Sequence, residues 1–76
     1  AAHSGAEIDC LWMRGRRRWG FEFKRTSAPT LTRSARTAID LLDLQRLYVI
    51  HAGTESFPLG AKVTAIAASR VLEDLQ

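Results

Sequence analysis

Apolar and ionisable side chains alternate almost perfectly between Glu7 and Lys24, and this alternation predicts a β-hairpin. A two-residue turn at Gly15-Arg16 suits a type II′ connection, since glycine in the first position accepts a positive φ. From that turn, each cross-strand partner follows from the apolar pattern. The predicted pairs on the apolar face are Ile8 with Phe23, Cys10 with Phe21, and Trp12 with Trp19. The predicted pairs on the other face are Glu7 with Lys24, Asp9 with Glu22, Leu11 with Gly20, and Met13 with Arg18.

A helix follows the hairpin after a loop that contains Pro29. Thr32 is a suitable N-cap for a helix running from Arg33 to about Asp43. Four apolar residues recur in it at helical spacing and should form its buried stripe: Ala35, Ala38, Ile39 and Leu42.

The β-favouring run from Leu47 to His51 predicts an interior strand, parallel to the strand that holds Glu22. The remaining segments predict a loop from Ala52 to Ala61, a short edge strand from Lys62 to Ile66, and a helix over about Ala68 to Leu75. The predicted fold class is therefore α/β, with a mixed sheet that a β-hairpin begins.

The 76 residues are enough for one small domain, and 46% hydrophobic with 25% charged residues is a globular composition. No apolar run approaches the length of a membrane span, and no signal-peptide pattern opens the chain. The single cysteine excludes an intramolecular disulfide. These features predict a cytoplasmic protein with no membrane partner.

The first residues contain no initiator methionine and enter the predicted hairpin almost at once. We therefore expect residues 1–76 to be a single domain cut from a longer protein. The apolar hairpin face is too large for two short helices to cover, which indicates either a missing element or a homodimer formed through this face.

The net charge of +3 is distributed unevenly, because basic residues crowd the first half of the chain. Four arginines occupy the hairpin tip: Arg14, Arg16, Arg17 and Arg18. A basic first half favours a polyanion such as DNA or RNA as a partner. A solvated, solubilising turn explains the tip arginines equally well.

The predicted register places the carboxylates of Asp9 and Glu22 side by side, with Lys24 two residues further along. Directly opposed residues have Cβ atoms roughly 5 Å apart, a distance at which like charges repel. Such a pair needs a cation, a shared proton or a basic neighbour. The hairpin therefore holds a candidate site for Mg²⁺ or Mn²⁺. The alternative is a surface charge ladder in which Glu7 pairs with Lys24 across the strands.

Asp9, the hairpin turn and Glu22-Phe23-Lys24 together resemble two motifs of the restriction-endonuclease-like PD-(D/E)xK nucleases. The resemblance implies a restriction-endonuclease-like core in which Asp9 and Glu22 bind metal and Lys24 positions the attacking water. It also implies phosphate contacts from Arg25, Arg33 and Arg36, although solvated loop and helix faces explain these three almost as well. The chain departs from the pattern: Ile8 replaces the family's proline, and neither an upstream acidic residue nor a clear downstream glutamine is present.

A longer resemblance involves Gly5-Ala6-Glu7-Ile8-Asp9, the basic hairpin, Glu22-Phe23-Lys24-Arg25, Leu47-Tyr48-Val49-Ile50 and Phe57-Pro58-Leu59. In this order they resemble the DUF4143 C-terminal domain of prokaryotic AAA-type ATPases. This implies an attached ATPase, to which ATP binding would be confined because no GxxxxGK[ST] motif occurs here. Two functions follow: Mg²⁺-dependent phosphodiester hydrolysis on nucleic acid, or a non-catalytic regulatory or docking module of the ATPase.

Other side chains have simpler interpretations. Cys10 is expected to be an inert core residue, and His3 and His51 to be structural, since neither histidine has a partner at metal-ligand spacing. Trp12 and Trp19 could stack on nucleic-acid bases, but packing against a missing helix is the favoured interpretation.

Overall fold

The computed structural model describes residues 8–75 as one five-stranded mixed sheet with helices. The elements are β1 (Cys10–Arg14), β2 (Arg17–Phe23), α1 (Arg33–Leu42), β3 (Arg46–His51), β4 (Phe57–Gly60), β5 (Val63–Ala67), a 3₁₀ turn (Ala68–Arg70) and α2 (Val71–Asp74). The sheet order is β1-β2-β3-β5-β4. The three central strands are parallel, and the two outer strands run antiparallel to them. The predicted α/β class with a mixed sheet is confirmed.

The hairpin has the predicted register from Cys10–Phe21 to Arg14–Arg17. Gly15 has φ of +61°, and Arg16 has no positive φ, as a type II′ turn requires. Side-chain alternation and a two-residue turn were therefore sufficient to fix this pairing.

The predicted register is wrong at the entrance to β1. The amide of Asp9 donates a 2.9 Å hydrogen bond to the carbonyl of Phe21, which is already the register partner of Cys10. Asp9 and Cys10 thus share Phe21 as their partner, as at a β-bulge. The extra residue changes the face of the sheet to which the side chain of the preceding residue points. Ile8 consequently packs near Gly20 on the face opposite Phe21, and not against Phe23. The predicted Glu7–Lys24 pair lies outside the described residues.

The crossover from β2 through α1 to β3 is also as predicted. The Thr32 hydroxyl accepts a 3.1 Å hydrogen bond from the amide of Ala35 and caps the helix. Asp43 ends the helix in the left-handed conformation, with φ of 52°. Parallel pairing places Glu22 beside Val49.

The predicted edge strand is an interior strand instead. β5 lies between β3 and β4, and the edge belongs to Phe57–Gly60, inside the segment predicted to be a loop. Pro58 lacks an amide donor, and an edge strand tolerates this loss better than an interior strand does. The predicted helix over about Ala68 to Leu75 is reduced to a 3₁₀ turn and four helical residues.

Each face of the sheet carries a separate apolar cluster. The helix face, covered by α1, buries Ala35, Leu44, Leu47, Val49 and Val63. The opposite face, which we call the open face, buries Tyr48, Ile50 and Ile66, with Trp19, Phe21, Val71 and Leu75 partly buried around them. Since α2 has only four residues, residues 8–75 leave much of the open face exposed. Within residues 8–75, no helix is both long and apolar enough to cross a bilayer.

Candidate functional site

The side chain of Asp9 is fixed by the backbone of the neighbouring strand. Its Oδ2 accepts a 2.8 Å hydrogen bond from the amide of Phe23, the residue after Glu22. By covalent geometry, that oxygen lies within about 5 Å of the Glu22 Cα. The structure therefore brings the two predicted carboxylate residues to the same end of the hairpin, although they are not a regular cross-strand pair.

Glu22 is a buried acidic residue, with 7% of its surface exposed. It lies on the helix face, and its Oε2 is 3.8 Å from Nζ of Lys24. The Lys24 side chain is 42% exposed, so the ion pair joins a buried carboxylate to a partly exposed ammonium group. Burying a carboxylate is costly unless a nearby cation or hydrogen bonds compensate its charge, and Lys24 supplies part of that compensation.

The backbone holds Lys24 in position. Its amide donates a 2.8 Å hydrogen bond to the carbonyl of Ile50, which continues the parallel pairing one residue beyond β2. Beside it, a shallow pocket of about 280 Å³ is lined by Lys24, Thr26, Ala28, Pro29, Thr30 and Thr32. A small anionic group could approach the ammonium through this pocket.

The donor set available for a metal is small. Over residues 8–75, no group of three or more His, Cys, Asp or Glu side chains is placed to hold an ion. Two carboxylates can still hold Mg²⁺, which usually keeps several water molecules and takes only one or two protein carboxylates. The carboxylates of Asp9 and Glu22 are of the chemical kind that such a largely hydrated ion takes, and one is bonded to the Phe23 amide while the other pairs with Lys24.

The three predicted phosphate-binding arginines do not line one common depression. Arg25 follows Lys24 directly and is exposed. Arg33 adjoins Thr32, which lines the pocket beside Lys24. Arg36 instead lines a separate depression together with Asp40 and Lys62.

His51 is the residue near this site whose environment the sequence did not indicate. It ends β3 as predicted and is only 1% exposed. Its Nδ1 accepts a 3.0 Å hydrogen bond from the amide of Gly53, so Nε2 carries the proton. Among the residues described, this Nε2 is buried without a hydrogen-bond partner. In the parallel register it lies next to Lys24, whereas His3 lies outside the described residues.

A second feature occupies the open face. A groove of about 990 Å³ is lined by Cys10, Trp12, Arg14, Gly15, Arg17, Trp19, Phe21, Tyr48 and Leu75, and we call it the aromatic groove. The rings of Trp12 and Trp19 have centroids 4.8 Å apart, and those of Phe21 and Tyr48 lie 5.5 Å apart. The prediction that Cys10 is a core residue is wrong, because Cys10 is exposed among the residues that the structure describes.

The fold and the site together define a small α/β domain whose five-stranded mixed sheet carries two acidic residues and a lysine at one end of its hairpin. The chain belongs to the family described as a domain of unknown function (DUF4143), whose model matches residues 1–71. It is 42% identical over 67 residues to uncharacterized proteins of Mycobacterium tuberculosis (Rv2008c) and Mycobacterium bovis (Mb2031c). That match covers 88% of this chain and 15% of each relative's length. No solved structure matches the chain.

Proposed function

We propose that this domain is a PD-(D/E)xK nuclease-like module with Mg²⁺-dependent phosphodiester hydrolysis on nucleic acid as its activity. The observation that carries the proposal is the arrangement around Phe23. The Asp9 carboxylate accepts a hydrogen bond from the Phe23 amide, and Glu22 pairs with Lys24. This arrangement supports the proposal because two acidic residues and one lysine follow one another in the order of the nuclease motif and lie at the same end of the hairpin.

The residues have distinct roles in this proposal. Asp9 and Glu22 would hold the ion through hard carboxylate oxygens, with water and phosphate oxygens in the remaining positions. A bound divalent ion supplies polarisation of the phosphate and a lower pKa for a coordinated water. Lys24 reaches solvent from the edge of the site, where its ammonium can orient the attacking water and stabilise developing charge. Arg25 and Arg33 are chain neighbours of residues that line the pocket beside Lys24, and they would contact backbone phosphates.

The decisive first experiment is a Mn²⁺ titration of the chain, followed by amide NMR line broadening. We expect broadening centred on Asp9 and on residues 22–24. Asp9→Asn is the informative variant, since its amide oxygen can still accept the hydrogen bond from Phe23 while the negative charge is lost. Asp40→Asn removes an exposed acid from α1 and is the matched control.

Broadening that disappears in Asp9→Asn and persists in Asp40→Asn would support the metal site. Broadening that is absent, or that spreads equally over all acidic residues, would overturn it. The activity itself is tested on the intact parent protein with DNA and RNA in Mg²⁺ or Mn²⁺. Lys24→Met should slow cleavage about 10²- to 10³-fold, as loss of a charge-stabilising group does. An intact parent that cleaves neither polymer contradicts the enzymatic proposal.

A second candidate function is a non-catalytic module that regulates or docks an attached AAA-type ATPase in the cytoplasm. Two observations favour it. Asp9 already accepts a hydrogen bond from the Phe23 amide, and Glu22 already pairs with Lys24. The chain also spans 15% of each relative's length. Deleting the domain from the parent should then change ATP turnover, whereas Asp9→Asn and Glu22→Gln should not. Loss of function from these two substitutions in a folded parent would contradict the regulatory role.

A further inference from the structure

We infer that the aromatic groove is a binding surface for single-stranded nucleic acid. Only the naming of single strands as the substrate class rests on the proposed function. Binding in the groove itself requires neither metal nor catalysis. The groove lies on the open face, whereas Glu22 lies on the helix face of the same sheet. Neither Asp9, Glu22 nor Lys24 lines the groove, so its lining can be substituted without replacing a residue of the carboxylate site.

The aromatic side chains form a row along one strand. Trp19, Phe21 and Phe23 alternate along β2, so neighbours in the row are roughly 6.6 Å apart along the strand. Trp12 extends the row onto β1 and is 49% exposed, and Phe23 is 61% exposed at the other end. Sheets that present aromatic rings in this way bind single strands by base stacking, which tolerates any sequence.

Two arginines stand at one end of this row. Arg14 and Arg17 face each other across the hairpin, and both line the groove. Like charges placed directly opposite each other destabilise a strand pair unless an anion compensates them. Within residues 8–75 neither arginine takes part in a salt bridge, and no carboxylate lines the groove. A phosphate backbone would supply the missing negative charge.

The charges also argue against a second copy of this chain as the occupant. A symmetric dimer through the open face would use the same groove on both copies, so the arginine pair of each copy would enter an interface to which the groove lining contributes no carboxylate. An apolar protein helix would cover the aromatic rings but would leave the two arginines uncompensated unless it carried acidic residues. A nucleic-acid strand supplies bases that stack on the aromatic rings and phosphates that compensate the two arginines.

The groove contains its own reporter, because both tryptophans of the chain line it. We would titrate the 76-residue chain with a twelve-nucleotide oligothymidylate in EDTA at low salt and follow tryptophan fluorescence. Quenching is expected, and the affinity should fall with salt with a logarithmic slope of roughly −0.7 for each phosphate contacted. A duplex of equal length should bind more weakly, because its bases are already stacked. EDTA keeps this test independent of the metal site, so failure of the nuclease proposal would not affect it.

Two variants and one control locate the binding. Trp12→Ala should weaken binding about fivefold to a hundredfold, the loss expected for one stacked base. Arg14→Gln with Arg17→Gln should reduce the salt slope. Lys62→Gln removes one charge, the same as either arginine substitution made singly, from the exposed β4–β5 turn and should leave binding unchanged. Unaltered circular dichroism shows that each variant is folded.

Three results would overturn the inference. The first is unchanged fluorescence up to about 100 μM oligonucleotide at low salt. The second is an equal effect of Lys62→Gln and the Arg14 and Arg17 substitutions, which would mean diffuse charge attraction without a defined surface. The third is a dimer in sedimentation experiments whose tryptophans are buried and that does not bind the oligonucleotide, which would make the face an interface between copies.

Discussion

The carboxylate of Asp9 accepts a 2.8 Å hydrogen bond from the backbone amide of Phe23, 14 residues later in the chain. This bond joins the irregular start of β1 to the end of β2, where regular pairing has already stopped at Cys10. A charged acceptor makes such a bond stronger than a neutral one. Asp9 therefore has a structural role as well as its proposed metal-binding role, and substitutions must separate the two.

Asp9→Ala should lower the free energy of unfolding by about 1 kcal/mol, because it removes a hydrogen bond of moderate net value at an exposed position. Asp9→Asn should recover most of that loss, since the amide oxygen can accept the same bond. Urea denaturation measures both changes. Equal destabilisation by the two variants would mean that the negative charge, and not the hydrogen bond, holds the hairpin entrance.

The ion pair between Glu22 and Lys24 should show measurable coupling. Lys24→Met keeps most of the aliphatic stem and removes the charge, which leaves the buried Glu22 carboxylate less compensated. In the Glu22→Gln background the same substitution should cost less, with a coupling energy of about 0.5–1 kcal/mol after allowance for the partly exposed lysine. A double-mutant cycle in urea provides the value. A coupling of zero would show that other contacts of Glu22 carry its charge.

Gly20 is required by close packing on the helix face. A Cβ built there would lie 2.8 Å from Cδ1 of Leu44 and 3.0 Å from Cδ1 of Leu47, and both leucines are fully buried. Gly20→Ala should therefore destabilise the domain by about 1–3 kcal/mol, as overpacking does.

Gly15→Ala is the matched comparison for Gly20→Ala. No atom lies within 4 Å of its added Cβ, but the φ of +61° is unfavourable for alanine and should cost about 1 kcal/mol. Thermal unfolding of both variants tests the distinction. A smaller loss for Gly20→Ala than for Gly15→Ala would indicate that the leucines rearrange easily.

Stability should fall in acid partly through Asp74. Hydrogen bonds donated by Arg70, which has the larger effect, and by Ser56 lower the pKa of this carboxyl below its ordinary value of 3.8. A folded-state pKa below the unfolded value gives stability that is present above pH 4 and is lost as the pH falls through the folded pKa. Arg70→Gln should flatten the pH dependence of unfolding below pH 4. If the pH dependence below pH 4 is unchanged in this variant, the loss of stability in acid comes from other carboxylates.

The sequence was sufficient for the hairpin register and the crossover, because side-chain alternation, a two-residue turn and an N-cap leave few alternatives. Strand β4 could not be predicted in the same way, since Pro58 and Gly60 are typical of loops and only the neighbouring β5 makes that segment a strand. The bulge at Asp9 was missed because strict alternation was extended past Cys10 as far as Glu7. The pairing of Glu22 with Lys24 follows from their spacing, whereas the burial of His51 depends on loops that periodicity does not place.

Strand β1 has one neighbour in the sheet, and all five of its side chains are exposed. An edge strand with apolar residues on both faces is a template on which another chain can add a strand. The charges of the hairpin tip oppose this pairing, in the way that charged residues protect natural sheet edges. A polyanion that neutralises the tip would remove that protection. If the aromatic groove binds a nucleic-acid strand as we infer, we therefore expect edge-to-edge association of copies to be strongest near charge equivalence and to decrease in excess polyanion.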